Sequence, residues 1–155
     1  MADVVDPATR SRMMSGIRGR DTRPERQLRS ALFARGFRFQ LHRADLPGRP
    51  DLVLPRHRAA IFVHGCFWHQ HPGCRFAARP ATNEQFWANK LASNVARDAI
   101  KIDELRALGW RVAVVWECEL RQDCEATTDR VVRWLQDASM PPALPDVTPP
   151  HAARR

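Results

Sequence analysis

Cys66, His71 and Cys74 fall together as C-x4-H-x2-C, and Cys118 follows directly on a strand-like apolar run further along the chain. Three thiols and one imidazole complete the tetrahedral shell of Zn²⁺, and a shell made wholly of protein ligands is closed to substrate and serves folding. Glu25, Asp51, His64 and His69 carry a different chemistry. Carboxylate oxygens are the donors that Mg²⁺ takes beside a scissile phosphate. Imidazole, near neutral pH, takes a proton from water or returns one to a leaving oxygen. Each residue has a plainer use alone: Glu25 as a helix cap, Asp51 as a turn residue behind Pro50, His64 as a strand-end polar group. Together, on elements that would meet at one end of a small sheet, they point to metal-assisted phosphodiester hydrolysis. A third set is aromatic: Phe67-Trp68 lies inside the zinc loop and Phe86-Trp87 opens a helical run. Such rings stack on bases or wedge into a duplex step. Phe86, Trp110 and Trp116 read as core, whereas Phe67, Trp68 and Trp87 read as facing DNA.

The elements that must position these groups are legible in the periodicity. Thr22-Arg-Pro-Glu25 is a helix start with a capping box, Leu28, Ala31 and Leu32 form the apolar stripe, and Gly36 ends the helix. Strands are expected at Phe37–Leu41, Asp51–Leu54 and Ala59–Val63, with turn chemistry at Asp45–Pro50 and Pro55–Arg58. A long helix is expected from about Asn83 to Leu108-Gly109, a buried strand at Trp110–Trp116, and a last helix from Thr127/Thr128 to Asp137. The order α-β-β-β-α-β-α predicts a single α/β domain, a central mixed sheet flanked by helices, with the long helix as the crossover into the fourth strand. Residues 1–20 read as a basic N-terminal arm, 21–138 as the catalytic domain with its zinc loop at 65–80, and 139–155 as a disordered tail with five prolines in its last 15 residues.

Composition narrows the partners. The chain has 155 residues and a net charge of +8, and its first 60 residues carry 13 arginines against six acids. Such a one-sided positive field attracts polyanions, nucleic acid first. Arg18 and Arg20 in the arm are candidate phosphate contacts. There is no apolar run of membrane-spanning length and no secretory signal, so membrane and secreted classes are excluded and a cytoplasmic protein with reduced cysteines is expected. An alternative with the same charge and zinc loop is a DNA-binding module without nuclease activity, although that would not need Glu25, Asp51 and His69 together.

Longer segments carry a resemblance. Ala8-Thr-Arg-Ser11, Arg20-Asp-Thr22, Leu46-Pro-Gly-Arg-Pro-Asp51, Ile61-Phe-Val-His-Gly-Cys-Phe-Trp-His69, Asn94-Val-Ala-Arg-Asp98, Leu108-Gly-Trp-Arg-Val112 and Val115-Trp-Glu-Cys118 resemble the very-short-patch mismatch repair endonucleases of bacteria over roughly residues 1–136. The resemblance implies a fold related to type II restriction endonucleases and a monomer. It also implies a strand-specific, Mg²⁺-dependent nick 5′ to the thymine of a T·G mismatch left by deamination of 5-methylcytosine, with mismatch-repair proteins as possible further partners. It makes Asp51 the central Mg²⁺ ligand with the backbone carbonyl of Val63, and His69 the water-activating base supported by Glu25 and His64. Cys66, His71, Cys74 and Cys118 become the structural zinc ligands, and Met14, Phe67 and Trp68 the residues that intercalate beside the mismatch. Phe62-Val63-His64 stands where restriction enzymes carry E-x-K, and Pro72-Gly73 lengthens the link between His71 and Cys74.

Overall fold

The computed structural model describes residues 21–137. The N-terminal arm with Met14, Arg18 and Arg20, and the tail 139–155, lie outside the described residues. Helix α1 (Arg23–Ala34) starts as the sequence implies: Thr22 Oγ1 accepts the Glu25 N–H at 3.4 Å, and Pro24 sits in the first turn. The Glu25 carboxylate reaches past the cap to the Asp21 N–H, 3.2 Å from each oxygen. Its C-terminus closes in a Schellman motif. Gly36, at φ +90°, donates to the Phe33 carbonyl at 3.0 Å, and Phe37 donates to the Leu32 carbonyl at 3.1 Å. That closure shortens the first strand. The Phe37 N–H is committed to the helix and its ring is buried in the core, so only Gln40–Leu41 pairs as β1.

The sheet has the order β1-β2-β3-β4. Strand β2 (Leu52–Leu54) runs antiparallel to β1 and to β3 (Ala59–His64), and β4 (Arg111–Trp116) runs parallel to β3 in the register Ala59–Arg111 to His64–Trp116. Helix α2 (Glu84–Ala107) is the crossover between these parallel strands. Alternation divides the buried side chains between two faces. Leu52, Leu54, Ile61, Ala113 and Val115 pack with Leu28 and Leu32 of α1 and with Val131 and Trp134 on one side. Val53, Ala60, Phe62 and Val112 pack with Leu105 of α2 and Trp110 on the other. The result is one domain, a mixed four-stranded sheet between helical layers.

Beyond the shortened first strand, two further elements differ from the sequence reading. A short helix α3 (Glu117–Gln122) follows β4 without a loop, and α4 (Cys124–Gln136) begins before Thr127/Thr128, the start expected for the last helix. Asp123 is the cap, its Oδ1 accepting the Ala126 N–H at 2.9 Å. Thr127 and Thr128 instead turn their hydroxyls back to the carbonyls of Asp123 and Cys124, at 2.8 and 2.7 Å. Inside a helix a threonine hydroxyl can bond the carbonyl four residues back, which satisfies it without a capping role. Among the described residues no helix is long and apolar enough to cross a membrane.

Candidate active site and metal centre

Antiparallel pairing of β2 and β3 brings the start of one beside the end of the other, so Asp51 and His64 meet at one end of the sheet. Asp51 stands one residue before β2. Its Oδ2 accepts the Val63 N–H at 2.7 Å, extending the ladder beyond the last backbone pair, Leu52–Ile61. Burial pushes the Asp51 carboxyl well above the usual carboxylate range; the Val63 N–H opposes the shift and nearby Glu25 adds to it. A buried carboxyl so disfavoured as an anion is one that a cation would stabilise. Glu25, 1% exposed, accepts from Arg29 Nη1 at 3.0 Å and lies 2.9 Å from His42 Nε2. The same His42 nitrogen is 3.9 Å from Asp51 Oδ1, so the imidazole contacts Glu25 and stands near Asp51 without a hydrogen bond to it.

The imidazoles of His64 and His69 stack, centroids 3.8 Å apart and planes within 5°. His69 Nδ1 is 2.6 Å from Asp98 Oδ2 on α2. A carboxylate there holds the proton on Nδ1 and leaves Nε2 as the free, basic nitrogen. Burial, and secondarily the charge of His69, holds His64 well below the ordinary histidine range, so it stays neutral. His42, Asp51, Val63, His64, His69 and Asp98 line a cleft of about 610 Å³, with Arg49, Arg97 and Lys101 also on its walls. The cations suit an incoming phosphate. Gly48, φ +76°, lines this wall; a Cβ there would come within 3.0 Å of Lys101 Cβ and 3.1 Å of the Phe62 ring, so a larger residue would be strained and would force those neighbours to shift.

Next to the cleft, Cys66, His71, Cys74 and Cys118 are all buried and their ligating atoms lie within 4.8 Å of one another. His71 Nδ1 is 3.7 Å from Cys66 Sγ and 3.4 Å from Cys118 Sγ. A tetrahedral Zn²⁺ shell with ordinary bond lengths has S···N edges of about 3.5 Å, so the four donors could hold a metal. Hydrogen bonding from Cys118 and burial push the Cys66 thiol up, and burial does the same to Cys74. Sulfurs packed this closely resist ionising unless a cation takes the charge. The loop reaches this geometry through tight turns: His71 N–H donates to the Cys66 carbonyl at 2.9 Å, and Pro72-Gly73, with Gly73 at φ +70°, returns the chain to Cys74. Trp116 stacks on His71 at 4.1 Å, and Glu117 Oε1 accepts the Cys66 N–H at 3.3 Å.

Phe67 and Trp68 are half-buried and pack edge to face, centroids 5.0 Å apart. Trp87 touches both, at 5.5 and 5.9 Å, but is itself only 7% exposed and forms the floor of the cluster. Phe86, read as core from the sequence, is 59% exposed: the helix turns Trp87 inward and Phe86 out. Trp110 is buried as expected, and Trp116 packs on the cysteine cluster.

The structure thus brings Glu25, Asp51, Val63, His64 and His69 together, and separately gathers the four Cys/His donors. Sequence reasoning did not single out His42 or Asp98. His42 is the residue that antiparallel β1–β2 pairing sets against Asp51, its N–H donating to the Asp51 carbonyl at 3.3 Å. Asp98 follows Asn94 by one helical turn, and Asn94 Nδ2 donates to the Trp68 carbonyl at 3.2 Å, so both face the loop that carries His69.

Known proteins are similar to this chain in sequence. The family described as DNA mismatch endonuclease Vsr matches residues 2–75. The chain is 48% identical over 139 residues to the DNA mismatch endonuclease Vsr of Escherichia coli, an alignment covering 87% of this chain and 88% of the relative. It is 51% identical over 120 residues to the type II nicking enzyme V.XorIIP of Xanthomonas oryzae pv. oryzae, covering 77% and 88% of the two chains. To the type II nicking enzyme V.NmeAIP of Neisseria meningitidis it is 38% identical over 140 residues, covering 89% and 99%. The chain belongs to the Vsr family of DNA mismatch endonucleases.

Proposed function

We propose that this protein nicks one strand of duplex DNA 5′ to the thymine of a T·G mismatch, by Mg²⁺-dependent hydrolysis, as a monomer acting on DNA in the cytoplasm. The fold fits a restriction-endonuclease-like core, in which a mixed sheet carries its acids at one end. The observation that carries the reading is the His69–Asp98 pair, 2.6 Å apart, on the same cleft as Asp51. A general base oriented by a carboxylate and set beside a cation-binding acid is what hydrolysis of a phosphodiester asks for. Mg²⁺ held by Asp51 and the Val63 carbonyl would withdraw charge from the phosphate and favour ionisation of the attacking water. His69 Nε2 takes the proton from that water as its oxygen bonds to phosphorus. The phosphorus–oxygen bond to the leaving sugar breaks, and that oxygen takes a proton from solvent water. Asp98 Oδ2 accepts from His69 Nδ1–H and stabilises the imidazolium that forms. His64, neutral and stacked on His69, adds no positive charge that would lower the basicity of the base. Glu25, beside Asp51, adds a second carboxylate to the cation-binding end of the cleft.

Zn²⁺ at Cys66, His71, Cys74 and Cys118 would make the adjoining loop rigid. On that loop Phe67 and Trp68, backed by Trp87, serve as a wedge beside the mismatch, with Met14 of the arm from the other groove. A T·G wobble step costs less to open than a matched one. Arg18, Arg20 and the rest of the basic arm supply sequence-independent backbone affinity. The test is a nicking panel on duplexes carrying each mismatch, each strand labelled separately, with and without Mg²⁺. A Mg²⁺-dependent nick in the thymine strand of T·G alone is expected. Cleavage of matched duplex at the same rate would refute the reading.

A further inference from the structure

One imidazole of the cleft has no part in the proton transfers above. His42 Nε2 lies 2.9 Å from Glu25 Oε2 and 3.9 Å from Asp51 Oδ1, with its side chain only 13% exposed. Its backbone is held at φ +48°, and its N–H is tied to the Asp51 carbonyl, so ring and carboxylate ride on one hairpin. Asp51 divides its oxygens: Oδ2 accepts the Val63 N–H, and Oδ1 is the one measured against His42. An ion about 2.0–2.2 Å from each of Asp51 Oδ1 and His42 Nε2 spans their separation at an obtuse ligand angle. The His42 nitrogen also falls within 4.8 Å of carboxylate oxygens of Asp21 and Glu25. Glu25 does not depend on His42 for its counter-charge, because Arg29 Nη1 pairs with it at 3.0 Å and with Asp21 at 2.7 Å. An all-oxygen site suits Mg²⁺; an imidazole nitrogen moves preference toward later first-row ions, in the order Mn²⁺, Co²⁺, Ni²⁺.

We propose that His42 Nε2 is a direct donor to the cation held at Asp51, making a mixed nitrogen–oxygen site that prefers Mn²⁺ and Co²⁺ to Mg²⁺. This rests on the assignment of Asp51 as the cation ligand. Bound through Nε2, the imidazole carries its ring proton on Nδ1, and the 2.9 Å contact with Glu25 Oε2 gives way to the ion. His42 then sets which ion the cleft takes, while the proton transfers stay with His69.

The test is pulsed electron paramagnetic resonance on full-length, zinc-loaded protein with Mn²⁺, an ion poorly matched to the thiolate cluster. The expected spectrum shows a ¹⁴N coupling from a bound imidazole, replaced by the ¹⁵N pattern when the protein is made with ¹⁵N-histidine. His42→Gln, checked for an unchanged melting temperature, is expected to lose the coupling and to weaken Mn²⁺ relative to Mg²⁺ by roughly tenfold or more. His69→Gln is expected to retain the coupling. No nitrogen coupling in the unaltered protein, or a coupling that survives His42→Gln, overturns the proposal. Asp51→Asn separates the two levels. Mn²⁺ binding lost there but nitrogen-free in the unaltered protein overturns only the role of His42. Undiminished, nitrogen-coupled Mn²⁺ binding by Asp51→Asn overturns the cation site itself.

Discussion

Two donor clusters share one loop, and their residues interleave: His64 and His69 face the cleft, while Cys66 and His71 face the cysteine cluster. One cluster is closed. Its four donors are buried, three are soft, and no side remains for substrate. The other is open, with a hard carboxylate at Asp51, an imidazole at His69 that is 30% exposed, and a cleft large enough to admit a phosphate. The contrast separates structural from chemical duty, since a saturated soft shell holds a loop whereas an unsaturated hard one leaves room for reaction.

Breaking the open cluster should have the largest effect. Asp51→Ala is expected to abolish nicking, a loss exceeding the roughly 10²–10⁴-fold cost of removing a general base, while T·G binding measured by gel shift stays near normal. His69→Ala should lower the single-turnover rate by about 10²–10⁴-fold. Asp98→Asn, which would weaken the hold on His69 Nδ1–H and on the imidazolium it forms, should cost about 10–100-fold in the same assay. Breaking the closed cluster should act on folding. Cys118→Ser is expected to lower the melting temperature by about 10 °C, read by calorimetry together with zinc content.

Smaller effects sharpen the division between recognition and general affinity. Phe67→Ala with Trp68→Ala should reduce the preference for T·G over T·A by about 30-fold or more in competition binding, at unchanged zinc content, as expected for two rings stacking at about 1–3 kcal/mol each. Arg18→Ala with Arg20→Ala should weaken binding to both duplexes alike and flatten the salt slope by about one unit per lost phosphate contact. Finally, protons and cation compete for Asp51, whose carboxyl burial holds well above the ordinary range. Nicking at limiting Mg²⁺ should therefore rise with pH above the usual carboxylate range, and saturating Mg²⁺ should move that rise to lower pH.

The parts of the fold written in local pattern were legible: the Thr22–Glu25 helix start, the Gly36 stop, the parallel pairing of the apolar β4 and the crossover by α2. The convergence of Cys118 with Cys66, His71 and Cys74 followed from its place after β4. What was not legible depended on orientation. Helix phase at the start of α2 decides that Trp87 is inward and Phe86 outward, and a doublet of aromatics does not disclose it. His42 acquires its role only through hairpin register, and Asp98 only through the fold of the loop opposite. α3 follows β4 with no Gly, Pro or Asn to mark the change, so nothing local announces it.

The most direct measurement is single-turnover nicking of a strand-labelled T·G duplex by Asp51→Ala protein, with zinc content, melting temperature and duplex binding determined on the same sample. If the open cluster does the chemistry and the closed one holds the loop, that protein keeps about one zinc, melts near the unaltered temperature, binds T·G and leaves the thymine strand intact in Mg²⁺. A zinc-replete, DNA-binding Asp51→Ala protein that still nicks 5′ to the thymine at a comparable rate would contradict it.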